Sequence, residues 1–166
     1  MDLLSLTLTQ FQLYGLIFLL GSFSVATLSD LKTMTAQREF MEVWILFVFA
    51  FLAYDVYIGY THGAGWLLYA KWGLILLFFI TWSFGLFFKT ARGDAAACIA
   101  VMVLLTPPFI LLFLLTLKIL SMIFSPFLIF GFGDKKGYPF MPVVSFATLV
   151  TLFAALYAIG WIQARV

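Results

Sequence analysis

The sequence predicts an all-α integral membrane protein, a single membrane-embedded domain over residues 1–166 that forms a bundle of six transmembrane helices with its N-terminus outside. Hydrophobic residues make up 65% of the 166 positions and charged residues only 10%, and the mean hydropathy is +1.15. A soluble domain of this size cannot bury so much apolar surface, so we expect the lipid bilayer to be its solvent. The apolar residues also fall into six segments, and Lys and Arg concentrate in alternate loops.

Glycine, proline or charged residues separate the six apolar segments. Their approximate bounds are Phe11–Thr27, Val43–Tyr60, Trp66–Phe88, Ala95–Leu105, Phe109–Phe130 and Met141–Trp161. The fourth falls well short of the roughly twenty residues that a span needs. The fourth and fifth segments therefore form either two helices that meet at Pro107 and Pro108 or one long broken helix. We favour two helices, because the loop charges are then asymmetric.

Under the two-helix interpretation, three loops on one side contain the basic pairs Lys32 and Arg38, Lys89 and Arg92, and Lys135 and Lys136. The loops on the other side contain no Lys or Arg, so the positive-inside rule predicts that the charged loops are cytoplasmic. Residues 31–42 mix charged and apolar side chains, which is typical of an amphipathic loop or short helix at the interface. Lys71, near the start of the third segment, is expected to extend toward the membrane surface.

The composition argues against several classes of site. The single Cys98 forms no disulfide framework, and the single His62 has no neighbouring ligand, so we expect neither a metal nor a cofactor. Basic residues do not cluster as nucleic-acid binding would require. The first segment lacks the basic leader and cleavage site of a signal peptide, so we interpret it as a retained span.

Two aspartates are the candidate catalytic residues. Asp94 lies where a cationic loop enters an apolar helix, which is either a helix N-cap or a costly, functional ionisable group near the membrane boundary. Asp30 ends the first segment at the same predicted depth. If these helices pack together, the two carboxyl groups share one proton, so that one acts as a general base on water and the other as a general acid. This is the chemistry of aspartic peptide hydrolysis.

The chain resembles the type IV prepilin peptidases and archaeal preflagellin (archaellin) peptidases, a branch of the GxGD membrane aspartyl proteases (peptidase family A24). Ser29-Asp-Leu-Lys-Thr33 is similar to the first catalytic segment of that family, and Ala91-Arg-Gly-Asp94 to the second. Gly137-Tyr-Pro-Phe-Met-Pro142 resembles the Pro-Phe-x-Pro element before its last span. Ala91 replaces the first glycine of GxGD, and the proline that usually follows the first aspartate is absent, with Gln37 near its place.

The resemblance implies an endopeptidase with Asp30 and Asp94 as catalytic residues and Gly93, Pro139, Phe140 and Pro142 as support for the substrate cleft. Gly93 would let a substrate strand approach, and the prolines would hold the last loop extended; simple loop formation is the alternative for these residues. The implied partners are class III signal-peptide-bearing pilin or archaellin precursors. They would be cut near the cytoplasmic face of the cell membrane, without N-methyltransferase activity, because the extra cytoplasmic region of the bacterial enzymes is missing.

Two alternatives remain. Gly131-Phe-Gly-Asp134 is a literal Gly-x-Gly-Asp, but Asp134 precedes Lys135, Lys136 and Pro139 rather than a helix, so we favour Asp94. The alternative function is a non-enzymatic small membrane transporter or assembly subunit in which Asp30 and Asp94 form a proton relay.

Overall fold

Six α-helices account for nearly all of the residues that the computed structural model describes, which are 8–33, 38–62, 65–85, 91–132 and 139–163. The helices are α1 (Gln10–Thr33), α2 (Arg38–His62), α3 (Trp66–Ser83), α4 (Arg92–Met102), α5 (Pro107–Phe132) and α6 (Met141–Gln163). Five of them, all except α4, are long and apolar enough to cross a membrane. The 11 residues of α4 extend only about 16 Å at the rise of an α-helix. The all-α membrane class is therefore confirmed.

The structure also confirms that the fourth and fifth segments are separate helices, since α4 ends at Met102 and α5 begins at Pro107. Residues 31–42 were predicted to form a separate amphipathic loop or short helix, but residues 31–33 belong to α1 and residues 38–42 to α2, while residues 34–37 lie outside the described parts of the chain. Lys32 belongs to the last turn of α1 and Glu39 to the first turn of α2, where each charge favours its helix terminus. Arg38 also donates to Glu42 at 2.7 Å, a spacing that supports a helix.

The third helix is shorter than the sequence predicts. It ends at Ser83, and the predicted continuation to Phe88 stops because Gly85 adopts a left-handed conformation with φ 64°. A glycine in this conformation just beyond the last turn is a common helix terminator. The chain therefore leaves α3 early, and eight residues, 84–91, connect it to α4.

The short helix α4 lies at the centre of the bundle and packs against α1, α2, α3 and α6. Its buried residues are Asp94, Ala95, Ala97, Cys98, Ala100, Val101 and Met102. Small side chains let neighbouring helices approach closely, which is how helices associate in lipid. Just beyond the end of α4, Leu104 packs closely against α1. A Cβ atom added at Gly15 of α1 would lie 2.9 Å from Leu104 Cδ2.

Two contacts show that α1 and α6 run antiparallel. The hydroxyl groups of Thr27 and Ser145 are 3.0 Å apart, and Asp30 accepts a hydrogen bond from the backbone of Met141. Asp94, at the start of α4, lies near enough to Asp30 to be affected by its charge. The end of α1 and the starts of α4 and α6 therefore meet at one end of the bundle, which we call the acidic end.

Candidate functional site

Asp30 is placed at the acidic end by the last turns of α1. Its side chain is buried, with 5% of the residue exposed, and its Oδ2 atom accepts a hydrogen bond of 3.1 Å from the backbone N–H of Met141. Phe140 and Met141 are themselves buried. The bond joins α1 to the first residue of α6, so the carboxylate is held in a defined position by a group far away in the sequence.

Asp94 is the third residue of α4 and is 7% exposed. Its Oδ2 atom accepts a hydrogen bond of 3.2 Å from the backbone N–H of Ala91, the N-cap residue. Asp94 is thus not the N-cap itself, but it satisfies an N-terminal donor from the third helical position, as in half of a capping box. A negative charge in the first turn also interacts favourably with the positive end of the helix dipole. The carboxyl group therefore contributes to helix initiation whatever its chemical role.

The negative charge of Asp30 acts on the carboxyl group of Asp94. Asp94 lies in the first turn of α4, outside the five helices that can span a membrane. Burial is the main cause that raises the pKa of Asp94 above the ordinary carboxyl value, and the negative charge of Asp30 raises it further. The hydrogen bond from the backbone N–H of Ala91 partly offsets this increase. A carboxyl group in this environment favours its protonated form. Asp30 therefore lies within electrostatic range of Asp94, and burial together with this charge favours the protonated form of Asp94.

The other predicted site residues surround this pair. Gly93 is half-buried and directly precedes Asp94, while Pro139 and Phe140 are buried immediately before α6. Pro142 differs from the prediction, because it is the second residue of α6 rather than part of an extended loop. Backbone N–H groups in the first turn of a helix have no acceptor within the helix, so a proline costs no hydrogen bond there.

One polar contact beside the acids was not found from the sequence. Thr27 lies one turn before Asp30 in α1, Ser145 lies one turn after Met141 in α6, and their hydroxyl groups are 3.0 Å apart. Residues three or four apart share a face of a helix. Once Asp30 and Met141 are known to touch, this spacing brings Thr27 and Ser145 together as well.

A second buried charge pair lies away from the acidic end, and it corrects the prediction for Lys71. Its Nζ atom is 2.6 Å from Asp55 Oδ2 in α2, with both side chains about a tenth exposed, so Lys71 does not extend to the membrane surface. Trp72 Nε1 donates to the same carboxylate oxygen at 2.9 Å. Asp55 and Lys71 lie at similar distances before and after the turn between α2 and α3, which is the sequence signal that could have paired them.

Several predicted residues lie outside the described parts of the chain. They are Asp134 with its Gly-x-Gly-Asp context and the loop residues Gln37, Lys89, Lys135, Lys136 and Gly137. The choice between Asp94 and Asp134 therefore stays a prediction. Across the described ranges, no group of three His, Cys, Asp or Glu side chains could hold a metal ion.

Comparison of the chain with protein-family models, with curated proteins and with solved structures yields no match. A function is therefore inferred from the residues of the chain itself.

Proposed function

We propose that this protein is a membrane aspartyl endopeptidase that cleaves the leader peptide of type IV pilin-like precursors, either prepilins or archaellin precursors. One observation carries the proposal. The three segments that resemble the prepilin peptidase family are far apart in the sequence, yet Asp30, Asp94 and the Phe140–Met141 backbone meet at one end of the bundle. A chance resemblance of three short motifs would not require their convergence.

The environments of the two acids suggest their roles. Asp30 accepts a hydrogen bond from the backbone N–H of Met141, and in this proposal it is the general base that takes a proton from water. The resulting hydroxide attacks the carbonyl carbon of the scissile peptide. Asp94, whose pKa is raised by burial and by the charge of Asp30, is the general acid that gives its proton to the leaving amine nitrogen. One water molecule is consumed, and no metal or cofactor takes part.

The supporting residues have roles consistent with an extended substrate. Gly93 has no side chain next to Asp94, which would leave room for a peptide backbone near the carboxyl group. Pro139 and Phe140 form a buried wall beside Asp30, and Pro142 starts α6 without an N–H group that would need an acceptor. These residues would bound the cleft that receives the segment between the leader and the apolar helix of a precursor.

The proposed orientation places the acidic end at the cytoplasmic face of the cell membrane. Lys32, Arg38 and Arg92 all lie at that end and are exposed, and positive charge in loops favours the cytoplasmic side. The N-terminus is then outside, and the protein is multi-pass, with α4 as the short sixth membrane helix inside the bundle. Positive charge at this face would also attract the enzyme's loops to anionic lipid. We propose cleavage without methylation of the new N-terminus.

The test is cleavage of a pilin-type and an archaellin-type precursor by purified protein and its Asp30→Asn and Asp94→Asn variants. Asparagine keeps an oxygen that accepts the backbone bonds from Met141 and Ala91 but cannot exchange the proton. Each substitution should therefore leave the fold intact and reduce the cleavage rate by about 10²–10⁴-fold or more. Glu42→Gln, an exposed acid near the same end, is the matched control and should retain activity.

Two results would redirect the proposal. Loss of cleavage in Asp134→Asn with activity retained in Asp94→Asn would show that the other Gly-x-Gly-Asp supplies the catalytic acid. Absence of cleavage of either precursor by folded wild-type protein, together with proton uptake into liposomes that stops in Asp30→Asn, would favour the proton-relay alternative.

A further inference from the structure

The hydroxyl groups of Thr27 and Ser145 are bonded differently from several others in the same two helices. Ser24 in α1 and Thr148 and Thr151 in α6 donate to carbonyl oxygens of their own helices at 2.8–2.9 Å. The hydroxyl groups of Thr27 and Ser145 instead bond to each other across the helix interface, with their oxygen atoms 3.0 Å apart. A carbonyl of the preceding turn can satisfy such a hydroxyl group. The bond across the interface therefore does more than satisfy two polar groups, because it forms only when α1 and α6 lie at one register.

A second bond connects α1 to α6 beside this hydroxyl pair. Asp30 Oδ2 accepts a hydrogen bond of 3.1 Å from the backbone N–H of Met141. Thr27 lies three residues before Asp30 and shares its face of α1. Ser145 lies four residues after Met141 and shares its face of α6. The two bonds are thus about one turn apart, and together they oppose both the sliding and the rotation of α1 against α6.

The rest of the buried surface of α1 is apolar. The residues that α1 buries before Asp30 are Leu16, Leu19, Phe23 and Ala26. Apolar packing is non-directional, so it holds α1 in the bundle without setting its register as a hydrogen bond does. Hydrogen bonds between helices are among the interactions that associate helices in lipid. The bond between Thr27 and Ser145 is therefore suited to maintain the register on which the bond to Asp30 depends.

We propose that Thr27 and Ser145 are positioning residues for Asp30. Their bond keeps α1 at the register in which the backbone N–H of Met141 reaches the carboxyl group of Asp30. Neither hydroxyl group needs to touch a substrate, because both act through the position of Asp30. The consequence for catalysis rests on the proposed function, in which Asp30 is the general base, whereas the effect on the position of Asp30 does not.

Met141 provides a local reporter of this register. It is the first residue of α6, and N–H groups in the first turn of a helix have no acceptor within the helix. Its bond to Asp30 is therefore the hydrogen bond that protects this N–H from exchange with solvent. The chain contains six methionines, so methionine-selective ¹⁵N labelling gives few amide signals, and Met141→Leu identifies the signal of Met141. The exchange rate of this signal measures how often Asp30 releases the N–H.

The main test compares Thr27→Val with the wild-type full chain in detergent. Valine is similar in shape to threonine but lacks the hydroxyl group, and Ser145 can then donate to a carbonyl of its own helix, so the variant should fold. The Met141 N–H should exchange about three- to fifteenfold faster, which is the equilibrium shift expected from loss of one hydrogen bond between membrane helices. Thr27→Ser keeps a hydroxyl group and should exchange at nearly the wild-type rate. An unchanged rate in Thr27→Val would overturn the proposal.

Ser22→Ala is the matched control, because it removes another bond between α1 and a neighbouring helix. Trp44 Nε1 in α2 donates to Ser22 Oγ at 3.0 Å, and Ser22 lies about two turns before Asp30. The Met141 N–H should exchange in Ser22→Ala as it does in the wild-type protein. Equal acceleration in Ser22→Ala and Thr27→Val would indicate a general loosening of α1 and would overturn the positioning role.

Cleavage kinetics test the consequence for catalysis. Thr27→Val and Ser145→Ala should each lower kcat by about three- to fifteenfold with KM unchanged, since neither hydroxyl group binds the substrate. The double variant should be no slower than the slower single variant, because both substitutions remove the same bond. Losses that add, or a raised KM with unchanged kcat, would overturn the positioning role. Absence of cleavage by the wild-type protein would reject the proposed function alone, and the exchange rates would still decide whether the hydroxyl pair positions Asp30.

Discussion

The buried pair of Lys71 and Asp55 should hold α3 against α2, and its removal provides a quantitative test of the packing. The Nζ–Oδ2 distance is 2.6 Å, and both side chains are about a tenth exposed. Lys71→Met would leave the Asp55 carboxylate buried, with the Trp72 N–H as its remaining donor among the described residues. Loss of one partner of a buried pair costs about 3–5 kcal/mol, and the remaining Trp72 bond places this variant near the lower value.

The double variant Lys71→Met with Asp55→Leu should be much more stable than the two single effects predict. No buried charge remains in it, and apolar replacement of a buried ion pair is often neutral. The N–H of Trp72 loses its acceptor, which costs about 1 kcal/mol. We therefore expect each single variant to lose about 3 kcal/mol in the free energy of unfolding and the double variant to lose about 1 kcal/mol. The difference is a coupling energy of several kcal/mol.

The assay is unfolding in mixed micelles by titration with a denaturing detergent, followed by far-ultraviolet circular dichroism. The pair of Arg38 and Glu42 is a matched control, because its atoms lie at a similar distance of 2.7 Å but its side chains are 84% and 59% exposed. Removal of either residue there should cost less than about 1 kcal/mol. Additive losses in the Lys71–Asp55 cycle, or equal effects at the exposed and buried pairs, would refute the reasoning.

Two further predictions follow from the acids and from helix packing. Because the pKa of Asp94 is raised in the folded protein, its protonated form stabilises the fold at acidic pH, and this contribution is lost as the pH rises through the raised value. The free energy of unfolding of the wild-type protein should therefore fall as the pH rises from 3.8 to about 7, and the cleavage rate should fall as the pH rises through about 7. A free energy in Asp94→Asn that falls equally would contradict the assignment. In α1, a Cβ atom at Gly15 would meet Leu104 at 2.9 Å, whereas nothing lies within 4 Å of one at Gly21. Gly21→Ala should stabilise the helix by about 0.5–1 kcal/mol, and Gly15→Ala should be less stable than Gly21→Ala by about 1–3 kcal/mol in the same detergent titration; equal stability would show that Leu104 moves aside at no cost.

The sequence by itself determined the class of the protein and the order of its helices. Its apolar content leaves the bilayer as the only solvent, and the breaks between apolar runs divide the chain into the six helices observed. Pro107 and Pro108 separated α4 from α5 correctly, because prolines are favoured at the start of a helix and cannot continue one. Asp30 and Asp94 were identified because ionisable groups at membrane depth are costly and therefore rare.

Only the tertiary structure decided which of these polar groups meet. Hydropathy reports how apolar a segment is but carries no information about which helix faces lie together, so it could not pair Lys71 with Asp55 or Thr27 with Ser145. The backbone bond from Met141 to Asp30 joins residues 111 positions apart, and no local pattern encodes such a contact. Lys32 in the last turn of α1 and Glu39 in the first turn of α2 interact favourably with their helix dipoles, and a search for apolar runs leaves such charges out. The two acids can thus be found from their positions at the ends of apolar segments, whereas their proximity arises from the antiparallel packing of α1 and α6 around the short helix α4.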